Sequence, residues 1–150
     1  MGFNREVTIN APIEQVFQVI TRYEYAVKKL NHVLDIKIEN EALQVGDHII
    51  ETRSVSGQNI QNAWEVIQCE SNKRFVVKSE QNKLFLTYDY TFSEVDQGTM
   101  VSFTGNIKTS GVRNLIYKPL IKRIIIKEDG EHLNYVKSYI EELKDLNEEA

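Results

Sequence analysis

The sequence is poor in the devices that staple or punctuate a chain. Its 150 residues include one cysteine, two prolines, seven glycines and one tryptophan. With Cys69 alone, no disulfide can close within the chain, which fits a reducing compartment. No apolar run approaches the roughly 18 residues of a membrane-spanning helix, and no charged-then-apolar leader is visible. The three histidines, His32, His48 and His132, are scattered, with no HExxH, CxxC or carboxylate–histidine cluster to suggest a transition metal. G-x-S-x-G elbows and phosphate-cradling glycine loops are missing too. Positive charge is not in excess: 18 basic against 22 acidic side chains give a net charge of −4, which argues against nucleic acid as the main partner. The expectation is a cytoplasmic chain forming one domain over 1–150, a monomer or weak homodimer, with no metal or cofactor.

What is present is ordinary globular material, with 41% hydrophobic and 27% charged residues. A chain of this size can bury roughly 68–70% of its unfolded surface without a staple. In "VTINAPIEQVFQVI", residues 7–20, an alternating strand runs into an amphipathic helix with almost no loop. Phe3, Val7 and Ile9 share a strand face that Arg5 interrupts, whereas Ile13, Val16, Phe17 and Ile20 recur at helical spacing. Pro12 suits the first turn of that helix, and Glu14 places a carboxylate among its orphan N–H groups. "TRYEYAVKKLNH" reads as a second short helix. Six strand signals follow, divided by turns at Gly46-Asp47, Ser56-Gly57, Ser71-Asn72, Gln81-Asn82 and Asp96-Gln97-Gly98. A two-residue loop at 56–57 would pair Val55 with Gln58, Arg53 with Ile60, Glu51 with Asn62 and Ile49 with Trp64.

From Val112 the pattern turns helical. Residues 111–127 hold five basic side chains and no acid, and residues 128–149 hold eight acids and two lysines. In one unbroken helix that order would oppose the macrodipole, so a break near Asp129-Gly130 is expected. Beyond it, Leu133, Val136, Ile140 and Leu143 form one stripe. The basic side chains of "RNLIYKPLIKRIIIK" do not gather on one helical face and read as solvated exterior rather than a membrane contact.

The motifs "INAPIEQVFQVI", "VGD" at 45–47 and "HLNYVKSYIEEL" resemble, in order and spacing, the START-like superfamily. This is the SRPBCC or polyketide cyclase/dehydrase and lipid-transport group, and the resemblance covers nearly the whole chain. One departure is that many bacterial relatives carry a Trp-Pro step where this chain has "NHVLD". The resemblance implies an α+β helix-grip fold, β-α-α-β6-α, whose curved antiparallel seven-stranded sheet wraps around a long C-terminal helix. It also implies a cavity between sheet and helix that accepts a small hydrophobic or amphipathic molecule. Relatives include ligand carriers, cyclases and chaperone co-activators, so three functions stay open: ligand binding, cyclase/dehydrase-type catalysis, and protein interaction.

Strand alternation puts Trp64, Val66, Phe75, Val77, Leu86, Tyr88, Tyr90, Phe92 and Phe103 on the inner face. Each of these can simply fill the core, but two buried phenols need polar partners. The hairpin register adds Glu51 and Arg53 to that face, near Asn62. They are either a mutually satisfied ion pair, or exposed through a one-residue slip, or a patch that orients a ligand's head group. The candidate ligand-binding residues are therefore Glu51, Arg53, Asn62, Trp64, Tyr88, Tyr90, Phe92 and Phe103, and no catalytic set is assigned. The same alternation places Cys69 on the outer face.

Overall fold

The computed structural model describes residues 2–22, 33–38, 43–55, 57–81, 83–111, 119–120, 122–123, 125–127 and 130–149. Seven strands form one sheet: β1 (Gly2–Ile9), β2 (Val33–Ile38), β3 (His48–Val55), β4 (Gln58–Glu70), β5 (Arg74–Gln81), β6 (Leu84–Val95) and β7 (Gly98–Thr109). All neighbours are antiparallel, in the order β1-β7-β6-β5-β4-β3-β2. The two strands nearest the N-terminus thus lie at opposite edges, so the chain between them must cross the sheet. Helix α1 (Ile13–Arg22) makes the first part of that crossing and touches β6 and β7. Of the expected second short helix, Thr21 and Arg22 belong to α1, and residues 23–32 lie outside those described.

The junction that opens α1 works as its residue types dictate. The Ala11 N–H turns back to the Ile9 carbonyl at 2.9 Å, and the Pro12 carbonyl accepts the first helical bond from the Val16 N–H at 3.1 Å. Pro12 therefore stands just before the helix, where its missing N–H costs nothing. The buried Thr99 hydroxyl donates to the Ala11 carbonyl at 2.8 Å and pins the corner to β7. Gly98 starts β7 with φ +136°, and a Cβ there would strike the Ile9 carbonyl oxygen, so no other residue fits this corner without a shift.

Helix α2 (His132–Glu149) follows a turn at Gly130 and Glu131, matching the break expected from charge order. Residues 119, 120, 122, 123 and 125–127 are helical before it. Leu133, Val136 and Ile140 are buried, and α2 lies against β1 and α1. The core sits between α2, α1 and the inner face of the sheet, where Ile9, Ile49, Val66, Phe75, Val77, Tyr90, Val101 and Phe103 are fully covered.

Two irregularities matter. The β4–β5 register shifts between Val66↔Val77 and Gln68↔Val76, leaving Ile67 as the extra residue of a bulge. Alternation reverses there: Ile67 is exposed, and Cys69, opposite Phe75, packs against the core. The expectation that Cys69 faces outward is therefore corrected. The second irregularity is Gly105, whose place on the inner face is taken by the Phe3 ring from β1. A Cβ at Gly105 would lie 2.5 Å from Phe3 Cε1. Gly105→Ala should lower stability by about 1–3 kcal/mol through overpacking, read as a lower urea midpoint with unchanged slope.

Candidate functional site

The hairpin register reads Ile49↔Trp64, Glu51↔Asn62, Arg53↔Ile60 and Val55↔Gln58, as the turn at 56–57 implies. Glu51 and Arg53 consequently share the inner face and meet there. Arg53 Nε donates to Glu51 Oε1 at 2.6 Å and Nη2 to Oε2 at 3.3 Å, a two-pronged pair. The Glu51 side chain is 4% exposed and that of Arg53 18%, so the carboxylate is buried and the guanidinium is the partner nearer solvent. Trp64 Nε1 adds a donor to Oε1 at 3.4 Å. Across the pair, Asn62 Oδ1 accepts from the Ser79 hydroxyl at 2.6 Å.

A second polar tie lies deeper. The Tyr90 hydroxyl and His132 Nε2 are 2.8 Å apart, both buried, and join the centre of the sheet to the first residue of α2. The rest of the wall is aromatic. Trp64 and Tyr88 have centroids 4.8 Å apart, and Phe103 stacks on Tyr90 at 4.7 Å. Phe103 also meets Tyr88 edge-on at 5.1 Å and His132 at 4.6 Å. Phe92 meets Phe17 of α1 edge-on at 5.0 Å. All eight candidate residues thus lie on one face, in three groups: Glu51, Arg53 and Trp64; Asn62 with Ser79; and Tyr88, Tyr90 and Phe103, with Phe92 nearer α1.

Two polar neighbours of the candidate residues were not anticipated. His132 stands immediately before the apolar stripe of α2, and Ser79 is the one small polar residue in the inner alternation Phe75, Val77, Ser79. That position on β5 is the signal for Ser79. On the outer face, Arg74 forms a two-pronged pair with Asp89 at 3.1 and 2.7 Å, which raises the guanidinium's already high pKa. Cys69 lines a cavity of about 440 Å³ with Phe17, Thr21 and Leu43, and burial pushes its thiol pKa up.

Among the described residues no group of three His, Cys, Asp or Glu could hold a metal ion, and no helix is long and apolar enough to cross a membrane. The family model described as "Activator of Hsp90 ATPase homolog 1-like protein" matches residues 10–118. The chain belongs to that family. No curated protein matches it. Solved structures share its fold at low identity. A START superfamily protein from Mycobacterium smegmatis is 11% identical with a TM-score of 0.74, over 95% of this chain and 98% of that one. Ara h 8.0201 is 14% identical with a TM-score of 0.69, over 93% of this chain and 97% of that one. The di-domain ARO/CYC StfQ from the steffimycin biosynthetic pathway is 12% identical with a TM-score of 0.75, over 96% of this chain and 51% of that one. The fold is thus the START-like helix-grip fold, a curved seven-stranded antiparallel sheet with a C-terminal helix.

Two outcomes test this geometry. Arg53→Met leaves a buried carboxylate uncompensated and should cost about 3 kcal/mol in chemical denaturation, whereas adding Glu51→Leu should restore most of the loss. The Cys69 thiol should be alkylated by iodoacetamide at pH 8 more slowly than in the urea-unfolded chain, with the gap closing as pH rises, because only the thiolate reacts.

Proposed function

We propose that this protein binds a small hydrophobic or amphipathic molecule between the inner face of its sheet and α2. The observation behind this reading is the buried Glu51–Arg53 pair on a largely apolar wall. A buried ion pair seldom stabilises a fold better than apolar residues of the same volume, so its presence there points to a role beyond packing. Ligand sites generally combine apolar walls with a few placed polar groups, and this face has that composition. Trp64, Tyr88, Phe92 and Phe103 supply apolar contact, while Glu51, Arg53, Asn62 and Tyr90 orient the polar end. Fold likeness to a START superfamily protein supports the same reading. The chain acts as one domain over 1–150, in the cytoplasm, as a monomer or weak homodimer, without nucleic acid or membrane contact.

A second reading, a cyclase/dehydrase-type enzyme, draws on one specific observation. Tyr90 and His132 at 2.8 Å are a phenol and an imidazole positioned to exchange a proton, and two structural neighbours are ARO/CYC proteins. It requires that a bound molecule be converted. Mass spectrometry of a co-purified compound before and after incubation separates the two, since a constant mass favours binding alone.

Trp64 is the only tryptophan and lies on the proposed site. Titration with a dansyl-labelled fatty acid should therefore quench Trp64 and raise dansyl emission by energy transfer. Tyr88→Phe and Tyr90→Phe should each weaken affinity about fivefold if their hydroxyls meet the ligand. Transfer that is absent, or affinity unmoved in both variants, would remove the binding role or the tyrosine anchors respectively.

A further inference from the structure

The sheet is not closed along its whole length. The β3–β4 ladder runs from His48↔Glu65 to Val55↔Gln58, and the β5–β6 ladder from Arg74↔Thr91 to Gln81↔Leu84. Between them the β4–β5 ladder stops at Glu65↔Lys78. Beyond that pair the two hairpins diverge, with Gln58–Trp64 on one side and Ser79–Gln81 on the other. A cavity of about 470 Å³ occupies this divergence. Its rim carries His48, Glu65 and Lys78, with Phe85 beside them, and it reaches Ser79 and Leu86, whose side chains belong to the inner face.

Where the backbone ladder has ended, side chains bridge the strands: Ser79 Oγ donates to Asn62 Oδ1 at 2.6 Å, and Ser79 is buried. Immediately behind lie Trp64, ringed against Tyr88, and the Glu51 carboxylate. Among the described residues, the Asn62–Ser79 hydrogen bond spans the divergence between the outer rim and the aromatic wall, and at its mouth Lys78 Nζ pairs with Glu65 Oε2 at 3.7 Å. A backbone ladder over the same length would set several bonds against opening, whereas a single neutral bond is worth about 1 kcal/mol net.

Building on the ligand-binding reading, we propose that the gap between β4 and β5, closed by the Asn62–Ser79 bond, is the passage through which a slender, single-chain amphipathic molecule enters and leaves. The intact ladders on both sides limit the opening to a movement of two hairpins about Glu65↔Lys78, which favours one alkyl chain over a bulky fused-ring body. The charged rim retains the polar end while the chain passes Ser79 and Leu86.

The test uses the dansyl-labelled fatty acid and stopped-flow energy transfer from Trp64 in the full chain. Ser79→Ala should speed uptake and release together by roughly fivefold, leaving Kd within about twofold, because Ser79 closes the gap and is not among the groups that orient the ligand, while the Asn62 side chain stays in place. In a Cys69→Ala background, Asn62→Cys with Ser79→Cys can be joined by a short bis-methanethiosulfonate. That link should slow uptake at least tenfold, and dithiothreitol should restore it. Circular dichroism checks that both variants fold, and the linked protein answers the question if Ser79→Ala does not. Unchanged rates in the linked protein would overturn the passage while leaving ligand binding standing. A change in Kd through release alone would make Ser79 a ligand contact and likewise overturn it. Absence of energy transfer in the wild-type chain would overturn the binding reading and the passage with it.

Discussion

The structure depends on covering one face of a seven-stranded antiparallel sheet. Edge strands β1 and β2 stand at opposite ends of the strand order, so the sheet does not close on itself and its apolar face needs a separate cover. Helix α2 supplies it with Leu133, Val136 and Ile140, and the Tyr90–His132 contact fixes where the helix begins. Phe103 lies at the centre, touching Phe3, Tyr88, Tyr90 and His132. The corner at Ala11-Pro12 follows from the same need, because only an abrupt turn lets α1 cover the end of the groove.

Much of this was legible because two signals act locally. Period-two alternation assigned the inner face of β6 and β7, and the Ser56-Gly57 turn set the β3–β4 register that brings Glu51 and Arg53 together. What the sequence did not disclose was decided by neighbours. Nothing around Ile67 marks a bulge, since the extra residue is forced by how β4 and β5 accommodate each other's curvature, and it turned Cys69 inward. The early end of the β4–β5 ladder is equally invisible, because both strands continue with good strand residues. His132 and Tyr90 are far apart in the chain, and only the docking of α2 brings them into contact. The partners of the site are therefore less legible than the wall they stand on.

The polar groups on that wall form a gradient. Tyr90 and His132 are both buried, Glu51 is buried but held by a guanidinium nearer solvent, and the Asn62–Ser79 bond stands beside the divergence of the hairpins. Hydrogen bonds sealed in a low-dielectric core exchange slowly with water and make a region rigid, whereas those near a break in the ladder open first. The face thus combines a stiff floor near α2 with a yielding rim between β4 and β5.

The bulge at Ile67 has a further consequence for comparing relatives. Because one added residue exchanges the two faces of every position after it, a homologue whose fourth strand is one residue shorter matches this chain only if the alignment gap stands at 67. A gap drawn a few positions later would equate solvent-facing residues with interior ones, and substitutions in that stretch would look radical when they are conservative. At 11–16% identity to structures of the same fold, where few residues anchor an alignment, the bulge gives this chain a structural reference point for placing its fourth strand.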